Sequence, residues 1–241
     1  MISQVFYVNL DYRNDRKINM ENTLPVLGAP VSRYPAIRPT HKEITEGKYQ
    51  KYYARSIPRI KKYLDAEATL PRAFGIYGVY LSQRHIHSHW AANKGEGVYV
   101  IVEDDAAISV STIMKIDRLF MERHVPDDWH MIRNIWNDEG KNHMDLSKFT
   151  SCHNESKYAD KYSHGRYGGA HFSICNGARA NEILEYLDRD FVYAIDSAYS
   201  TNQLNVYHTN LDVTIGDFGT DIPKIDLEPE PDPNGPVVHI L

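Results

Sequence analysis

Apolar positions in this chain come in short bursts, and their spacing alternates between the twofold period of strands and the helical period. Val5-Phe6-Tyr7-Val8 is a β-rich run closed by Asn9-Leu10-Asp11, which predicts an opening strand entering a loop. Residues 12–24 are polar and helix-capable. Gly28, Pro30, Pro35 and Pro39 predict irregular structure or an edge strand over 28–40. From Lys42 to Leu64 the chain is basic and tyrosine-rich, and reads as helix except where Pro58 interrupts it. Ala73, Phe74, Ile76, Tyr77, Tyr80 and Leu81 predict a buried helix over 72–93, ending near Asn93-Lys94-Gly95.

The clearest strand is Gly97-Val98-Tyr99-Val100-Ile101-Val102, apolar on both faces as in the centre of a covered sheet, and stopped by Glu103-Asp104-Asp105. A helix over 111–123 and a short strand at Trp129-His130-Met131-Ile132 follow. Residues 137–166 are polar and aperiodic, and read as a long functional loop. Ala170 to Ile174 is strand-like, a helix runs from Gly177 to about Leu187, and Asp196 opens another helical stretch. Pro229, Pro231, Pro233 and Pro236 among acids make 226–241 an extended tail outside the core. Strands alternating with helices predict an α/β fold over 1–225, a single domain with a mainly parallel central sheet flanked by helices.

Composition narrows the function classes. The 241 residues suffice for a full core, and no run of about 18 apolar residues offers a spanning helix. The first residues lack a basic region followed by a long apolar segment, so the expected setting is cytoplasmic. Lys plus Arg number 27 against 32 Asp plus Glu, which argues against nucleic acid as a partner. The two cysteines, Cys152 and Cys175, have no metal-binding spacing and read as inert thiols. The 17 tyrosines against 7 phenylalanines suit polar or sugar-like ligands, and equally a wet surface.

The chemistry centres on residues 98–105. A buried strand delivers three adjacent carboxylates at its C-terminal end, where ligands bind in open α/β sheets. Such acids raise one another's pKa unless a cation sits among them, and hard oxygen donors suit Mg²⁺ or Mn²⁺. Capping of the next helix is the alternative role for Asp104 and Asp105. No GxxxxGK[ST] segment is present, and no GxGxxG follows the first strand, which argues against P-loop and dinucleotide sites.

Four segments, in order, resemble glycosyltransferase family 25, which includes lipopolysaccharide sugar transferases and collagen galactosyltransferases. Phe6 to Asp11 with Arg13 and Arg16 is similar to the family's opening strand and loop. Gly75-Ile76-Tyr77-Gly78-Val79-Tyr80-Leu81-Ser82 with Trp90 resembles its helix. Tyr99 to Asp105 resembles its acidic strand, and Gly168 to Ile174 with Gly177-Ala178 its later glycine segment. Gln83 stands where the family has a histidine and Tyr77 where it has a glutamate. His85, His87 or His89 could compensate, although only His85 and His89 share a helix face.

The resemblance implies a GT-A fold, a nucleotide-sugar donor, a glycan or glycolipid acceptor and a divalent metal, Mn²⁺ or Mg²⁺. It assigns Asp105 as metal ligand, with His208 and then Asp217 as the second protein ligand. Asn9, Leu10, Asp11, Arg13, Arg16, Ser82, Glu103 and Asp104 would bind the donor. Gly168 and Gly169 would admit the acceptor, or merely mark a strand entry. Asp196 would be the base of an inverting transfer, or an N-cap. The basic stretch 42–62 could contact a membrane surface or an anionic acceptor. The rival functions are a sugar-phosphate nucleotidyltransferase, which lacks here the glycine-rich basic loop it needs, and a non-catalytic carbohydrate-binding protein.

Overall fold

The computed structural model of the chain describes residues 2–40, 70–93, 95–121, 127–134, 170–189, 195–199, 203–209 and 211–216, with isolated positions at 42, 43, 46, 48, 125, 150 and 151. The strands are β1 (Ile2–Asn9), β2 (Val31–Pro35), β3 (Val98–Glu103), β4 (Ala106–Ala107), β5 (Met131–Asn134), β6 (Thr150–Ser151), β7 (Phe172–Asn176), β8 (Val206–Thr209) and β9 (Thr214–Ile215). The helices are α1 (Asn14–Thr23), α2 (Leu70–Ala92), α3 (Val110–Met121), α4 (Ala180–Arg189) and α5 (Ile195–Tyr199). One sheet has the order β2-β1-β3-β7-β5-β8-β6, and β4 pairs with β9 apart from it.

The sheet is mixed. β2, β1, β3, β5 and β8 run one way, while β7 runs antiparallel to both β3 and β5, and β6 antiparallel to β8. The expectation of an α/β fold with helix-flanked strands holds; its central ladder departs from the parallel pattern at β7. Alternation along the inner strands separates two cores. Phe6, Val8, Tyr99, Ile101 and Cys175 face α2, α4 and α5. Val5, Tyr7, Val100, Val102 and Ile174 face α1 and α3. The buried residues of α3, Thr112, Ile116 and Leu119, follow one helical stripe.

The helix α2 is covered on several sides. Tyr80, Gln83, His87 and Trp90, at i, i+3, i+7 and i+10, are all buried. Trp90 stacks on Tyr99 at 4.5 Å between ring centroids and donates its indole N–H to Gly95 O at 2.8 Å. Arg84 grips Asp188 of α4 with two bonds of 2.5 and 2.7 Å. A Cβ on Gly78 would stand 2.1 Å from Ile37 O, so this glycine lets α2 press against the segment that follows β2.

The proline-bearing segment 28–40 contains β2 at the sheet edge, as its composition predicts. Beyond it, Thr40 and Glu43 bond reciprocally, each side chain to the other's backbone N–H, as a capping box that opens the basic stretch. The rest of 42–64, most of the loop 137–166 and the tail 226–241 lie outside the described residues. Among the described residues no helix is long and apolar enough to cross a membrane.

Candidate functional site

The register of β1 against β3 pairs Val8 with Glu103, so both strands release the chain at the same end of the sheet. Because β7 is antiparallel to β3, its start falls at that end as well. Glu103 N–H donates to His171 O at 2.9 Å. Residues after β1, after β3 and before β7 therefore meet at one edge.

His171 stands between two of the acids. Its Nδ1 lies 2.7 Å from Asp105 Oδ1 and 3.0 Å from Glu103 Oε2. Burial works against the imidazolium, yet the Glu103 and Asp105 carboxylates outweigh it and raise the His171 pKa to about 10. Burial likewise pulls Asp105 upward, but the His171 hydrogen bond and charge, with Arg16 nearby, leave its pKa lowered. One donor atom from each of Glu103, Asp105 and His171 lies within 4.8 Å of the others, and these residues could hold a metal ion. Two carboxylates and an imidazole form a donor set that divalent first-row metals accept. A proton on Nδ1 and a cation among the three are alternatives for the same space.

Asp104 has a different place. It is buried, accepting from Asn9 Nδ2 on Oδ2 and from Arg16 on Oδ1, both at 2.7 Å. Burial pushes its carboxyl pKa up, against the pull of Arg16 and Asn9. The two buried residues of α1 are Arg16 and Met20, one turn apart, so the turn that enters the core also aims the guanidinium at β3. Asp104 thereby ties the loop after β1 and the first turn of α1 to the end of β3.

A cleft of about 180 Å³ opens over these groups. Of the sequence-predicted donor residues, Leu10, Arg16, Ser82, Glu103 and Asp104 line it, as does Asp105, the predicted metal ligand. Asn9 is buried and acts through Asp104 and Arg33, whose Nε donates to Asn9 Oδ1 at 2.8 Å. Asp11 pairs with Arg33, and Arg13 with Asp15, and neither lines the cleft. Ser82 accepts from Ile37 N at 2.8 Å and donates to Gly78 O at 2.6 Å, which pins α2 to the cleft wall. Arg38 also lines the cleft and donates to Tyr12 Oη at 2.9 Å.

Other expected residues fall elsewhere. His208 lies on β8, which β7 and β5 separate from β3, about 14 Å away at about 4.8 Å per strand. The histidine that the structure brings to the acids is His171. Asp196 is the second residue of α5, with its carbonyl accepting from Arg133 at 3.3 Å, and it does not line this cleft. Gly168, Gly169 and Asp217 lie outside the described residues. Cys175 is a buried free thiol, held protonated by burial.

Of the α2 histidines, His87 is buried and bonds Tyr99 and Tyr199, while His89 is exposed and lies beside Asn93. Instead Gln83 reaches the site, its Nε2 donating to Glu103 Oε1 at 3.1 Å and to Ala170 O at 3.3 Å. Sequence reasoning missed His171 because a strand parallel to β3 would carry its first residue to the far end of the sheet. The available signal was a histidine directly before an apolar run, and it becomes informative only once that run is antiparallel.

No protein-family model and no curated protein sequence matches this chain.

Proposed function

We propose that the chain is a metal-dependent glycosyltransferase of the GT-A type, moving a hexose from a UDP-sugar to a hydroxyl of a glycan acceptor. The observation that carries this reading is the meeting of Glu103, Asp105 and His171 in a cleft that Arg38 also lines. The segments that resemble family 25 support it, because β1 with α1, α2, β3 and β7 are the elements that border the site.

Glu103, Asp105 and His171 would hold the cation, and the imidazole in the set favours Mn²⁺ over Mg²⁺, which prefers oxygen alone. When bound, that ion supplies Lewis-acid stabilisation of the departing diphosphate. Arg38, which lines the same cleft, offers the diphosphate a second positive charge. Asp104 keeps Arg16 at the cleft wall, and Asn9 holds Asp104 in turn. Val8 and Leu10, from the end of β1, and Ala36 give the apolar side that a nucleoside face needs.

Calorimetry with UDP, with and without Mn²⁺, on the wild type and Asp105→Ala tests the reading. Manganese-dependent UDP binding that the substitution abolishes supports it. Metal-independent binding unchanged by the substitution removes Asp105 as a ligand, and no binding of any nucleoside diphosphate overturns the transferase reading.

A further inference from the structure

We infer that Gln83 is a positioning residue that orients the Glu103 carboxylate, and that a ladder of buried hydrogen bonds through Tyr99, His87 and Tyr199 fixes which way its amide points. The inference rests on reading Glu103 as a ligand to a divalent cation.

The ladder's polarity follows from donor and acceptor inventory alone. Gln83 Nε2 faces Glu103 Oε1 at 3.1 Å and Ala170 O at 3.3 Å, a carboxylate and a carbonyl, which only accept. The NH₂ end must therefore point at them, and Oε1 must point away, toward Tyr199 Oη at 3.1 Å. Tyr199 gives its one proton to that oxygen. It can then only accept from His87 Nε2, 2.7 Å away. A neutral imidazole carries one N–H, so His87 Nδ1 is a lone pair that takes the proton of Tyr99 Oη at 2.5 Å. Gln83, His87, Tyr99 and Tyr199 are all buried, so water is not at hand to substitute for a missing partner. The sequence Tyr99, His87, Tyr199, Gln83, Glu103 has one self-consistent proton order, and it ends on the site.

This order settles what Glu103 presents to the cleft. With Oε1 held by Gln83, Oε2 is left facing His171 and Asp105. A flipped amide would set two acceptor oxygens against each other, and the carboxylate would turn away from its neighbours. Tyr199 on α5 thus acts on the site through Gln83, without touching Glu103. It also gives a role to the glutamine that stands in place of the histidine expected from the family pattern.

The test is Mn²⁺ binding alone, followed by paramagnetic resonance of the free ion, on Gln83→Met, Tyr199→Phe and the double variant, with cooperative melting checked for each. Gln83→Met should weaken Mn²⁺ about tenfold or more, as loss of a partner that orients a ligand does. Tyr199→Phe should weaken it in the same direction, and the double variant should bind no worse than Gln83→Met. Folded Gln83→Met that binds as tightly as wild type overturns the inference, as does a Tyr199→Phe loss that adds in full. A second readout needs no metal. The Gln83 side-chain amide protons should exchange slowly in ¹⁵N-labelled wild type and faster in Tyr199→Phe, and equal exchange overturns the ladder. Slow exchange lost in Tyr199→Phe, in a wild type with no Mn²⁺ affinity, supports the ladder and overturns the cation reading.

Discussion

Acidification should destabilise this protein through His87 in a way that one substitution isolates. The ring is fully buried, with both nitrogens bonded to tyrosine hydroxyls. Burial, with the Arg84 charge close by, lowers its pKa from the ordinary histidine value of 6.5 to about 3. The unfolded chain therefore binds a proton below pH 6.5 that the folded chain refuses until about pH 3, so stability falls with pH across that window and is fully present above it. From pH 7 to pH 5 the loss is about 2 kcal/mol for this one group. His87→Gln keeps a donor and an acceptor but cannot titrate. At pH 7 the variant should be less stable by about 1–3 kcal/mol, from imperfect hydrogen bonds in a buried site. The gap should close by about 2 kcal/mol at pH 5, because only the wild type loses stability through this residue. Urea titrations of both proteins at pH 7, 6, 5.5 and 5 measure it, and every other histidine cancels in the difference. Wild-type and variant stabilities that run parallel across the range would refute the argument.

Three further outcomes follow from the geometry. Gly78→Ala should lower the melting temperature and cost about 1–3 kcal/mol, since its Cβ would overlap the Ile37 carbonyl at 2.1 Å; an unchanged or raised melting point contradicts the close approach. Arg16→Met strands the buried Asp104 carboxylate, and denaturant unfolding at pH 7 should show a loss of about 3–5 kcal/mol that shrinks as acid protonates Asp104; a loss below about 1 kcal/mol contradicts the pairing. Because the folded His171 holds a proton up to a pKa of about 10, Mn²⁺ must displace it. Apparent Mn²⁺ affinity should rise about tenfold per pH unit between pH 6 and 8, and a flat profile removes His171 from the donor set.

Much of the layered architecture was legible because burial has a period. The run Val98–Val102 is apolar at successive positions, which only a strand covered on both faces tolerates, and it is such a strand. Pro30 and Pro35 marked the edge for the same reason that prolines cannot feed an inner ladder. The end of β3 pointed to Glu103 and Asp105 as candidate site residues, since a strand's last residues must leave the sheet at its rim, and both line the cleft. Asp104, between them, turns inward to Arg16 and Asn9, and no periodicity announces that. Strand direction was the information missing. Periodicity is the same for parallel and antiparallel pairing, and the position of His171 depends on that difference. The inward turn of His87 and Gln83 was hidden for a related reason: their i, i+4 spacing is ordinary for a core seam, and their polarity gains meaning only beside Tyr99 and Tyr199.

The antiparallel placement of β7 also dictates when the site can form during synthesis. Asn9, Arg16, Gln83 and the acids of 103–105 all leave the ribosome well before His171, the cation that offsets two of those acids. Until the β3–β7 ladder closes, Arg16 stands against the adjacent carboxylates without the His171 charge, and the Glu103 N–H lacks the His171 carbonyl that accepts it. Closing a contact over that sequence distance is the slow kind of step, because loop entropy is spent before the ladder returns anything. Topology thus orders the events: α1, α2, α3 and the β1–β3 ladder can assemble first, and the acidic rim becomes a defined site later, when a strand from the final third of the chain is laid against it.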